Sequence, residues 1–204
     1  MLSRPGYPSH YATTRPWDHL TPSEFAVLRP FFEARPGQRG PGRPIFDLRA
    51  RLDAIFWVAC HNGPWRNLPP EMGPADTASR QFRRWAHAGV WTRLLQAMAH
   101  PDCPLMLRRM HHWVCRCYRR ALRILKLPGL VLAQRLGQLS ALPGPWWLLP
   151  KPDLSKKWLP VMRHLFIRAL EEPKRRLRTT LRELKWMHRF IGGRVSIPKH
   201  LAPP

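Results

Sequence analysis

Between Asp76 and Trp91 the chain reads DTASRQFRRWAHAGVW, and five of these side chains have the chemistry of nucleic-acid recognition. An arginine fork reaches O6 and N7 of guanine, or two phosphate oxygens, at once. A glutamine amide does the same for N6 and N7 of adenine. At about 100° per residue, Arg80, Arg84 and His87 centre on one side of a helix. Arg83 flanks that side, while Gln81 and Ser79 fall at its borders. Ala78, Phe82 and Trp85 take the opposite side. A helix lying in the major groove needs this division, with one face packed and the other on bases or backbone. A solvated surface helix would show it too, so the pattern alone leaves both readings open.

Other residue groups also have types that could do chemistry. In the triplet Gly42-Arg43-Pro44 an arginine is held between Gly and Pro on a basic loop. Such an arginine can enter a narrow minor groove, and it can equally be a residue of a plain linker. His111, His112, Cys115 and Cys117 contain metal-ligand types. Zinc sites, however, pair cysteines two to four residues apart with a second pair at a distance. Buried thiols and surface histidines account for these four better, and no metal or other cofactor is expected. Two-metal phosphoryl transfer needs clustered carboxylates. The 12 Asp and Glu are scattered over helix caps and polar faces, and no phosphate loop or Ser/His/Asp grouping is present. Enzymatic activity in this chain is therefore not expected.

The charge points to a polyanion. Lys and Arg number 35 against 12 Asp and Glu, for a formal net charge of +23. Nucleic acid fits this better than an anionic membrane surface. Of those side chains, 22 basic and 4 acidic ones lie beyond residue 102, and the first lysine is Lys126. No apolar run is long enough to span a membrane and no secretory signal is visible, so a cytoplasmic, nucleoid-associated protein with reduced thiols is expected.

The elements that must position these residues read as helices. TPSE (Thr21–Glu24) is a capping box, and Pro30 is expected to kink or end the helix it starts. Asp47 is a plausible N-cap for a second helix with Leu48, Leu52, Ile55, Phe56 and Ala59 inward. HNGPWRNLPP (61–70) must turn. Asp76 is expected to cap the third helix and Gly89 to end it. A fourth places Val90, Leu94, Leu95 and Met98 inward. Pro101 and Pro104 mark an expected boundary. Beyond it Met106, Met110, Trp113, Cys117, Ala121 and Ile124 make one amphipathic stripe, with most of the arginines off it. A short helix is expected near 129–141. A basic helical region follows over about 155–191, interrupted near Pro160 and Pro173. No strand alternation occurs. The expected organisation is a disordered arm (1–19), a helical domain (20–100) and a basic, Pro-interrupted, partly disordered helical extension (103–204).

Taken in order, LTPSEFAVLRPFF, GRP, DLRARLDAIFWV, PWRNLP and GPADTASRQFRRWAHAGVWTRLLQAM resemble the N-terminal domain of insertion-sequence transposases of the IS-four/IS-five class, the IS-402-like domain. PWRNLP is the most specific part. Asn67 stands where relatives commonly have Asp, and Gly63 where they often have Cys or Ala. The resemblance implies an all-α bundle with a helix-turn-helix-like arrangement that binds the terminal inverted repeats of an element as double-stranded DNA. Arg80, Gln81, Arg83, Arg84 and His87 would read the major groove and Arg43 the minor groove, with Trp65, Phe82 and Trp85 holding the helices in register. It also implies a following ribonuclease-H-like domain with an Asp-Asp-Glu triad. Here an arginine-rich helix, AHPDCPLMLRRMHHWVCRCYRR, stands in that place, so no catalytic residue carries over. The expected function is sequence-specific DNA binding at transposon ends without the catalytic domain. The alternatives are a helical interaction module that pairs with itself or with a separate catalytic transposase chain, and an active transposase with an unrecognised site.

Overall fold

Thr21 starts α1 (Pro22–Phe32) as the capping box requires. In this computed structural model, which describes residues 11–33, 47–171 and 173–193, the Glu24 N–H donates to the Thr21 hydroxyl at 3.2 Å. The Thr21 N–H donates back to the Glu24 carboxylate at 3.0 Å. Pro30 sits inside the helix, which runs on two residues before it ends. In the last turn the missing N–H costs a single bond, so the proline does not stop the helix.

Asp47 caps α2 (Leu48–Cys60) by accepting from the Ala50 N–H at 2.9 Å. Leu52, Ile55, Phe56 and Ala59 are buried as expected, and so are Asp53, Ala54 and Val58. Helices pack on more than one side of α2, so its buried surface is wider than a single stripe. Two short 3-10 turns, Trp65–Asn67 and Pro70–Met72, form the connector.

The third helix, α3 (Ala75–His87), is capped by Pro74 and not by Asp76. The Pro74 carbonyl accepts the N–H groups of Thr77 and Ala78, both at 3.1 Å. Asp76 lies in the first turn, where a carboxylate suits the positive end of the helix. Gly89 ends α3 in the left-handed conformation (φ 70°) and leads directly into α4 (Val90–Ala99).

The stripe expected as one helix over 105–126 is broken twice. A short α5 (Leu105–Arg109) stops at Met110, and α6 (His111–Arg135) leaves helical geometry at Lys126 (φ 54°, ψ −147°), two residues before Pro128. Both ends of the expected stripe, Met106 and Ile124, are only half-buried, while Met110, Trp113, Cys117 and Ala121 are buried. The short helix expected near 129–141 is divided. Its first part is the end of α6, and a 3-10 turn at Leu139–Ala141 follows Gly137 (φ 66°).

The chain divides into two compact units, Met1–Pro143 and Gly144–Pro204. Pro101 and Pro104 lie within the first unit, because α6 packs across α2, α3 and α4. Residues 11–20 are irregular but tied down, whereas the composition suggested a disordered arm through residue 19. The Arg15 carbonyl accepts from the Trp113 indole at 3.2 Å, and the Ala12 N–H donates to Ser140 at 2.8 Å. In the second unit α7 (Pro152–Leu170) passes Pro160 without interruption. Pro160 and Lys156, whose carbonyl loses its partner, are both exposed to water. The helix breaks before Pro173, and α8 (Lys174–Gly192) follows. The described residues contain no β-strand, and the protein is all-α. No helix among them is long and apolar enough to cross a membrane.

Candidate nucleic-acid interface

The core of the first unit is aromatic, and it decides which way α3 faces. Trp91 is wholly buried and meets Phe82 at 5.1 Å, Phe32 at 5.3 Å and Trp85 at 6.2 Å between ring centroids. Its indole N–H donates to the Phe82 carbonyl at 3.4 Å. Phe82 also meets Trp65 of the connector at 5.5 Å, and Trp85 meets Phe32 at 4.6 Å. Edge-to-face and tilted ring pairs of this kind add specificity to the burial of area. They hold α3 by the Phe82–Trp85 side and leave its other side in water.

Arg80, Arg83, Arg84 and His87 are all exposed on that free side, and Gln81 is half-buried at its edge. Arg80 pairs with Asp76 at 3.3 Å in an exposed i,i+4 contact. Such a pair is weak, and a phosphate can displace it. Trp65 is half-buried, while Phe82 and Trp85 are buried. Five candidate DNA contacts therefore share one helix surface. The sixth, Arg43, lies outside the described residues.

The two buried carboxylates of this unit serve the fold. Glu24 is almost fully buried. Burial alone would raise its carboxyl. The Arg15 guanidinium at 2.6 Å and the bonds from Thr21 outweigh that and hold it below its usual range. Asp53 is raised by burial, although it accepts the Leu20 N–H at 2.8 Å and faces His19 at 3.4 Å. Among the described residues no three His, Cys, Asp or Glu side chains gather where a metal ion could sit. Burial pushes the Cys60 and Cys115 thiols up to about 12 and the Cys117 thiol well above its usual value. These are inert thiols at neutral pH.

One aromatic residue, Trp91, is missing from the inward set expected of the fourth helix. Trp91 stands three, four and seven residues before Leu94, Leu95 and Met98, so helical spacing puts it on their inward face, and it is the centre of the cluster. Trp113 stands in the expected stripe but also extends the cluster. It meets Phe56 at 5.8 Å and carries the Arg15 guanidinium 3.9 Å from its ring centroid. Departure from the pattern of relatives at Gly63 is cheap, because an added Cβ there would meet only Asn67, at an ordinary 3.5 Å.

Residues 20–95 match the family model described as "Putative transposase of IS4/5 family". Over 51 residues the chain is 37% identical to "Uncharacterized protein y4sN" of Sinorhizobium fredii, a match that covers 25% of this chain and 41% of that protein. The chain thus spans about two fifths of the length of that curated relative. No solved structure matches it. The matched span holds α1 to α4 up to Leu95, and with them Trp65, Phe82, Trp85 and Trp91, so residues 20–95 are a domain of the IS4/5 transposase family.

Proposed function

We propose that this protein binds double-stranded DNA at the terminal inverted repeats of an insertion element, with α3 in the major groove. The observation that carries the reading is the two-sided character of α3. Its aromatic side is locked into the core, while three arginines and a histidine project from the other. Arg80, Arg83 and Arg84 would contact guanine edges or phosphates, and Gln81 an adenine at the margin. Arg43, in the segment that precedes α2 in sequence, would enter the adjacent minor groove. No catalytic role is assigned to any residue of the chain. The test is fluorescence anisotropy with an end-containing duplex and a scrambled one. Arg80→Ala with Arg84→Ala is expected to weaken end binding by about tenfold or more and to reduce the preference for the end. Unchanged binding by that double variant removes α3 as the reader.

A second reading concerns the other unit. Leu159, Ile167 and Leu170 of α7 and Trp186 of α8 are large apolar side chains at least half exposed. They favour a helical interaction surface for a protein partner, such as a separately encoded catalytic chain. Size-exclusion chromatography with and without DNA separates the readings, since a protein adaptor assembles without a duplex.

A further inference from the structure

A cavity of about 660 Å³ lies in the first unit, between the α2–Trp65 connector and the middle of α6. One wall is Asn62, Gly63 and Pro64. The other carries Arg116, Arg119, Arg120, Arg123 and Lys126. No carboxylate is among the described residues that line it. The arginines are placed by neutral carbonyls. Arg120 donates to the Gly63 carbonyl at 2.9 Å, Arg119 to that of Pro143 at 3.2 Å and Arg116 to that of Cys60 at 3.3 Å. Each such bond uses one of the five N–H donors on a guanidinium. Arg119 and Arg120 are half-buried, whereas Arg123 and Lys126 are exposed, so positive charge runs from the wall out to the rim.

Two independent observations single this cavity out. Burial, and next the charge of Arg116, pull Arg119 down to about 10. Burial likewise lowers Arg120, with Arg123 adding to it and Cys117 opposing. Like charges held together in a partly desolvated space are destabilising until an anion joins them. The backbone is also strained at this place. Among the described residues only Asn62 (φ 55°) and Lys126 (φ 54°) are non-glycine residues with positive φ, and both line the cavity. Strained backbone of this kind collects at ligand sites.

From this geometry we infer that the cavity is an oxyanion site that receives phosphates of a DNA phosphodiester backbone, using Arg119, Arg120, Arg123 and Lys126. The inference rests on the DNA-binding reading and adds a second, sequence-independent contact to α3. The two contacts are mechanically joined. Arg120 lies 4.6 Å from the Trp65 ring centroid, and Trp65 packs on Phe82 of α3. A phosphate drawn into the cavity therefore fixes the duplex relative to the helix that would read it, which is the usual division between backbone contacts that position and base contacts that specify.

The test measures duplex affinity against salt for the full chain. The first variant is Arg119→Gln with Arg123→Gln. The second, Arg123→Gln with Lys126→Gln, changes only exposed side chains and so keeps the fold, as circular dichroism would verify. Each is expected to weaken the end-containing and scrambled duplexes alike, and to make the slope of log affinity on log salt shallower by about two. Arg80→Ala with Arg84→Ala should instead alter the ratio between the two duplexes. Wild-type slope and affinity in the exposed pair of substitutions overturn the cavity site while leaving the α3 reading intact. If the wild-type chain binds neither duplex, the DNA reading itself fails. A cavity-dependent rise in Tm with inorganic pyrophosphate, without duplex binding, then assigns the site to a free phosphate compound and overturns the phosphodiester source.

Discussion

The Arg120 guanidinium sits over the ring of Trp65, 4.6 Å from its centroid, and so ties α6 to the connector that precedes α3. Arg120 also donates to the Gly63 carbonyl two residues before that ring. Trp65→Ala removes the cation–π contact, worth about 1 kcal/mol at a half-buried site. It also removes the packing on Phe82, so a total loss of about 3 kcal/mol is expected in urea unfolding. Trp65→Phe keeps part of both and should cost less than half as much. Equal losses for the two variants would show that a phenyl ring in this place restores neither contact.

Trp91 gives the largest expected effect. It is fully buried and touches rings from α1, α2 and α3. Trp91→Ala leaves a cavity under three helices and should cost about 3–5 kcal/mol. For a unit of this size that is much of the total stability. The readout is the denaturation midpoint, or loss of the cooperative transition altogether. A shift under 1 kcal/mol would mean that the cluster collapses around the gap.

Glu24 makes stability depend on pH in the acid range. Its folded-state carboxyl is held below the unfolded value of 4.5, so the unfolded chain binds the proton more tightly. The contribution is therefore present above that value and is lost as pH falls through the folded one. Glu24→Gln should cost on the order of 2 kcal/mol near neutral pH, from the ion pair with Arg15 and the cap together. The difference between wild type and variant should shrink towards zero in acid. Asp53 is raised and acts in the opposite direction, so the comparison must be made between variants at each pH and not on the wild type alone. A gap that stays constant from neutral to strongly acidic pH would count against the ion pair.

Lys126 separates strain from charge. A lysine at φ 54°, ψ −147° is held in a region that costs about 1–3 kcal/mol for a side-chain-bearing residue. Lys126→Gly should raise Tm, by an amount equivalent to about 1 kcal/mol, while lowering DNA affinity through the lost charge. Lys126→Gln should lower affinity to the same extent with no gain in stability. If the glycine variant is destabilised, the conformation at this residue is not strained in the folded chain.

How far these relationships could be read in advance depends on their range. The capping box at Thr21–Glu24, the Asp47 cap and the Gly89 stop follow from contacts within four residues, and all three are found. The two faces of α3 follow from periodicity alone. The same spacing turns Trp91 inward with Leu94, Leu95 and Met98, but its place at the centre of four rings from three other helices is set by long-range packing. Asp76 has the right chemistry to cap α3, but Pro74 supplies the extended entry two residues earlier. The arginines of α6 read as the solvated side of an amphipathic helix. They become a cavity wall only because the Asn62–Pro64 turn, some sixty residues earlier in the chain, folds against them.

Phe56 lies inside the matched span 20–95, yet it leans on Trp113, which lies outside it. Trp113 is in turn anchored to Arg15 and Pro16, which precede the span. Cut at the limits by which it is recognised, the domain would lose both the floor and the clasp of its own core. The portable piece, the one to express alone or graft onto another protein, is the stretch from about residue 11 to Pro143.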